Sequence, residues 1–157
     1  MAVPPKRIKR TRKGLFQIRL PAEERDLLRS LPGQLKDLLE ENDPSLRRLF
    51  PPAYLDDPER DAEYQQLMRA DLLERHRAAL DVMTETIDAE ELEEDQLAGW
   101  LGALNDLRLV LGTRLDVSED MWDDELDPND PRAPALGLYG YLGWLQEQVV
   151  EALASGV

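Results

Sequence analysis

Nucleophiles, metal ligands and proton carriers are few in this sequence. Its 157 residues include one histidine and no cysteine. Thiolate catalysis, disulfide staples and cysteine zinc sites are excluded. A zinc-protease helix needs two histidines four residues apart, and His76, in the run Glu74-Arg75-His76-Arg77, has no such neighbour. It reads as a surface or boundary residue of a helix. Carboxylates form two runs: Glu90, Glu91, Glu93, Glu94 and Asp95, then Asp120, Asp123, Asp124, Glu125, Asp127 and Asp130. A calcium loop needs oxygen ligands at set spacing, a mid-loop glycine and a bidentate glutamate. Neither run has that glycine. The first reads as a helix start, where acids complement the dipole, and the second as a solvated loop. No catalytic residue, metal site or cofactor is expected, and the chain reads as a non-enzyme.

Noncovalent recognition is better served. Between Asp116 and Ala133, Met121, Trp122 and Leu126 stand among eight acids, with no basic residue before Arg132. Acids interleaved with large apolar side chains describe a docking segment for a basic, grooved partner. Its candidate contacts are Asp120, Met121, Trp122, Asp123, Asp124 and Leu126. In the competing reading Trp122 folds back onto the helices, or the acidic surface holds the basic arm. That arm supplies the candidate nucleic-acid contacts Lys6, Arg7, Lys9, Arg10, Arg12 and Lys13, whose charges would displace counterions from phosphates. Only Phe16 offers aromatic interleaving, and no helix carries the basic start of a recognition helix. Asn105, Asp106, Arg108 and Arg114 interrupt an apolar helix and need partners. They read as a buried polar network that fixes helix register. Gly99 and Gly102, and Gly137, Gly140 and Gly143, form strips that let backbones approach. The two strips are expected to face each other, the alternative being a homodimer seam.

The elements that must position these residues follow from periodicity. Lys6 to Leu20 fits a hairpin turning at Gly14, because Phe16, Ile18 and Leu20 alternate with Gln17 and Arg19. Pro21 suits a first helical turn, and Leu27 to Leu39 follow at helical spacing, with a kink or brief break expected at Pro32-Gly33. Leu46, Leu49 and Phe50 make a short apolar turn. Helices are expected over about Glu59–Ile87, Glu91–Leu115 and Pro134–Ala154. The fold class is all-α: a four-helix body with a short N-terminal β-hairpin or strand. Residues 1–13 are a basic arm, disordered or part of that hairpin, and residues 14–157 a single helical domain.

The charge is divided along the chain. Residues 1–19 hold seven basic groups and no acid, so the remainder carries 12 basic against 33 acidic groups, a balance of -21 within a total of -14. Such a body repels polyanions at low salt and attracts basic protein surfaces. No apolar run approaches the roughly 20 residues of a membrane span, and no signal-peptide core follows the basic start. A cytoplasmic location without membrane contact is expected.

The run WLGALNDLRLVLGTRLDVSED, Trp100 to Asp120, resembles the signature of an actinobacterial family known as domain of unknown function 2017. LPAEERDLLRSLPGQLKDLL, RLFPPAY and DPRAPALGLYGYLGWLQEQVVEAL are similar to it as well, so the resemblance covers nearly everything from Gly14 onward. It implies an all-α protein from a high-GC bacterium. Genes of the family often neighbour those of the ClpS protease adaptor and of cysteine biosynthesis. Some members are described as oxidative-stress regulators that act with a sigma factor and sense through a cysteine pair. That sensing chemistry has no residues here. What the resemblance implies is a regulatory interaction module with a sigma factor or RNA polymerase as partner. Direct nucleic-acid binding through the arm is the alternative, and an adaptor role in protein turnover a further one.

Overall fold

The structure is a computed structural model that describes residues 6–115 and 129–155. Strands β1 (Ile8–Arg10) and β2 (Phe16–Ile18) form the N-terminal hairpin. Its register pairs Ile8 with Ile18, Lys9 with Gln17 and Arg10 with Phe16. The turn closes through Thr11 N–H to Leu15 O and Gly14 N–H to Thr11 O. Gly14 adopts φ +82°, a left-handed conformation that a side chain would penalise.

The hairpin does not stand alone. A third strand, β3 (Glu91–Leu92), pairs antiparallel with β2 and places Leu92 opposite Phe16. This corrects the helix start expected at Glu91. The backbone N–H of Glu93 bonds the Gln96 side chain at 2.8 Å, a side chain reaching back over the first turn as in a capping box. Helix α3 therefore begins at Glu94 and runs to Leu115. The alternation in the first strands has its expected result: Ile8, Phe16, Ile18, Leu20 and Leu92 are all buried in the core.

Helix α1 (Ala22–Glu41) passes through Pro32 without a break, although the proline ring removes one internal hydrogen bond. Asn42, in the left-handed conformation, ends it. Asp43 then accepts the Ser45 N–H at 2.8 Å and starts a short 3-10 helix, Pro44–Arg48. Helix α2 (Pro58–Thr86) opens on Asp57 as cap with a proline in its first turn. Helix α4 (Ala133–Ala154) closes the fold.

Helix α3 is the axis. Its buried positions include Leu97, Trp100, Ala103, Leu104, Leu107 and Val110, too wide a spread for a one-sided surface helix. It contacts α1, α2, α4 and the 3-10 helix. Trp100 lies fully buried, and its Nε1–H donates to Thr86 Oγ1 at 2.7 Å.

The glycine strips do not face each other. A Cβ on Gly99 would come within 2.8 Å of Val82, and one on Gly102 within 3.3 Å of Ala79. Both glycines thus permit the close approach of α3 to α2, not to α4. Gly143 faces Arg108, and Gly137 has open space. Among the described residues, no helix is long and apolar enough to cross a membrane.

Candidate functional site

The basic arm is built into the body through Arg7. Its guanidinium makes two bonds to the Glu24 carboxylate of α1, 3.1 Å from Nε and 2.9 Å from a terminal nitrogen. Tyr141 of α4 donates its hydroxyl to the same carboxylate at 2.7 Å. The Trp144 ring lies under the guanidinium at 5.2 Å. Burial raises the Glu24 carboxyl, but the bonds from Arg7 and Tyr141, with the Arg7 charge, leave it below the ordinary value of 4.5. Burial and then the bond to Glu24 hold the Tyr141 phenol well above its usual range. Beside this cluster, Arg25 gathers carbonyls from three places. It donates to Ile18 O at 3.0 Å, Leu20 O at 3.2 Å, Ile87 O at 2.7 Å and Ala89 O at 3.0 Å. It therefore ties the end of α2 and strand β2 to α1.

The other cations of the arm remain open. Lys6, Lys9, Arg10 and Arg12 line a cleft of about 370 Å³ between β1 and the last turns of α4, where Gln148 and Glu151 form the opposite wall. None of the four makes an ion pair with a described residue. Lys13 is exposed in the hairpin turn.

His76, read from the sequence as a surface or boundary residue, lies at the boundary and is a polar crossing point whose partners the sequence did not name. Its Nδ1 meets Asp106 Oδ2 at 2.7 Å, and its Nε2 meets the Leu49 carbonyl at 3.2 Å. The Phe50 ring stands edge-on to it at 5.5 Å, with the Arg69 guanidinium 4.1 Å from that ring's centre. Asp106 is only 4% exposed. Both partners are acceptors while Asp106 is ionised, so a doubly protonated imidazolium satisfies both. The Asp106 bond pushes His76 up and burial pulls it down. The Asp106 charge and the Leu49 carbonyl leave it above the ordinary 6.5. One signal was legible: a single aspartate in an apolar helix stripe needs a cation, and the chain has one histidine.

The four polar residues of α3 thus divide among separate partners. Asp106 takes His76. Arg108 donates to Gln146 Oε1 at 3.1 Å, and Gln146 donates on to Asn105 at 3.4 Å. Arg114 reaches Ser45 Oγ at 3.4 Å and Asp43 at 3.7 Å. These contacts join α3 to α2, to α4 and to the 3-10 segment respectively, so no single network contains all four. The docking candidates Asp120, Met121, Trp122, Asp123, Asp124 and Leu126 lie outside the described residues. Among the described residues, no group of three or more His, Cys, Asp or Glu side chains could hold a metal ion.

Comparison with known proteins adds the family. The model of the domain of unknown function DUF2017 matches residues 5–153. The oxidative stress regulator AosR of Mycobacterium tuberculosis (strain H37Rv) is 31% identical over 128 residues, covering 71% of this chain and 58% of the relative. The putative oxidative stress regulator AosR of Mycobacterium leprae is 30% identical over the same shares. The chain thus spans less than two thirds of the length of these curated relatives. No solved structure matches. With hairpin, helices and polar crossings all inside the matched span, the chain belongs to the DUF2017 family.

Proposed function

We propose that this chain is a non-enzymatic regulatory module that modulates stress-responsive transcription by binding a protein, a sigma factor or RNA polymerase. The observation that carries this reading is the similarity, across most of the chain, to proteins named as oxidative stress regulators. The surface chemistry supports it. Outside residues 1–19 the balance is -21, and such a surface suits the basic, DNA-facing helices of transcription proteins. Asp120, Asp123 and Asp124 supply the steering charge, and Met121, Trp122 and Leu126 the apolar anchors. With no cysteine in the chain, regulation is constitutive or gated by the partner, and its seat is the cytoplasm.

The test is a titration of the full chain against purified RNA polymerase with and without sigma factor, at several salt concentrations. Replacing Asp120, Asp123 and Asp124 together by Asn should weaken binding and flatten its salt dependence. Unchanged affinity would remove the acidic segment from the interface.

A second reading, nucleic-acid binding through Lys6, Arg7, Lys9, Arg10, Arg12 and Lys13, is favoured by the four unpaired cations along β1. It is weakened by Arg7, whose charge is taken up by Glu24. Replacing Lys6, Lys9 and Arg12 by Gln should abolish DNA retention in that reading and leave protein binding intact.

A further inference from the structure

Among the described residues, unpaired cations, an orphan donor and a half-open cleft coincide between β1 and the end of α4. Strand β1 is the edge of the sheet, since the strand order is β1-β2-β3. Its free side faces α4 instead of another strand. Among the described lining residues, four cations stand against one acid, Glu151. The carbonyls at the end of α4 bring further negative partial charge, so the cations exceed what that helix end needs.

Arg10 carries the argument. Its guanidinium carbon lies 4.8 Å from the centre of the Phe16 ring, its cross-strand partner. A guanidinium held over an aromatic ring keeps its donors in a fixed fork suited to phosphate or carboxylate oxygens. Its Nε is buried and has no hydrogen-bond partner among the described residues. A buried charged donor left unmet is costly, and such donors are rare without a role. Gln148 adds a second donor. Its Oε1 accepts the Arg7 N–H at 3.2 Å, which leaves its NH2 group to donate.

We propose that this cleft binds the phosphoryl group of a small molecule, with Arg10 as the clamp on its phosphate oxygens and Lys6, Lys9 and Arg12 as supporting charges. Three observations favour a small ligand. The cavity, about 370 Å³, falls at the lower end of the roughly 300–1,000 Å³ of small-molecule sites. The charge excess around it suits a phosphate dianion better than a single carboxylate. The acidic body beyond it opposes the approach of a long polyanion. The site is independent of the protein-docking reading above, because it uses the opposite charge on a different segment.

The test is calorimetric titration of the full chain with pyrophosphate, with adenosine monophosphate and with a short single-stranded oligonucleotide. Pyrophosphate or the nucleotide should bind with a sub-millimolar Kd, and Arg10→Gln should weaken that binding at least about tenfold, the loss expected for one charge-assisted bond. Lys9→Gln, on an exposed side chain, should weaken it less and keeps the test valid if Arg10→Gln loosens the hairpin. Arg132→Gln, away from the cleft, should change nothing. Equal binding by wild type and Arg10→Gln would mean adventitious charge and overturn the proposal, as would no binding of either small probe. Far tighter binding of the oligonucleotide, falling steeply with salt, would also overturn it and assign these cations to nucleic acid.

Discussion

Two partly buried charge clusters tie the helices together, and they respond oppositely to pH. Beneath the hairpin, Arg7, Glu24 and Tyr141 join β1, α1 and α4. Where α2 crosses α3, His76 and Asp106 join those helices to the chain after the 3-10 helix. The first cluster uses a cation that never titrates in the working range. Its weak point is the carboxylate. Glu24 lies below its ordinary 4.5, so its stabilisation is complete above pH 4.5 and disappears as acid protonates the folded carboxyl. The second cluster uses the one side chain that titrates near neutrality. His76 lies above its ordinary 6.5, so its stabilisation is complete below pH 6.5 and disappears as pH rises through the folded value. Two ties of similar geometry thus cover different pH ranges, and both are complete between pH 4.5 and 6.5.

The largest effect should come from breaking the first tie. Glu24→Ala leaves the Arg7 guanidinium half-buried without its carboxylate and should cost about 3 kcal/mol. Urea unfolding should show nearly the same loss at pH 6 and pH 8. A loss confined to acid would mean that the cluster is solvated and adds little. The second tie should be weaker and pH-dependent. His76→Leu strands a buried carboxylate and should cost about 2 kcal/mol near pH 5.5, and less as pH rises through the folded histidine's raised pKa. A penalty that grows with pH would reverse the sign assigned here. A direct check is proton NMR of the one imidazole. Its midpoint should lie above 6.5 in the wild type and fall in Asp106→Asn, because the first cause of its shift is removed. The smallest effect belongs to a position that joins neither tie. Leu67 of α2 is 80% exposed, so Leu67→Gln should change stability by no more than about 0.5 kcal/mol. Differential scanning fluorimetry would detect a larger one.

Leu67 also shows how far the sequence could be read. Helical spacing located α2 within a residue at each end. It could not say that Leu80 and Met83 are fully buried while Leu67 is 80% exposed, since burial depends on packing against other elements. The hairpin was legible because alternation and a glycine turn are local signals. Strand β3 was not, because two residues carry no period and Glu90–Asp95 looks like any acidic helix start. Glycine spacing revealed a close helix contact but not which helix supplied it: Val82 and Ala79 of α2 fill the space. Asp106 signalled a missing partner. That the partner is His76, 30 residues earlier, follows only from the antiparallel packing of α2 on α3. The cleft was half legible. Its cations were identified, but their wall on α4 comes from tertiary packing alone.

The proposed binding to a protein rather than to DNA is tested most directly by capture of partners by the tagged full chain from native lysate, with and without nuclease, quantified by mass spectrometry. Sigma factor or RNA polymerase should be enriched equally in both samples. Enrichment that disappears with nuclease, or is absent from both, would contradict it.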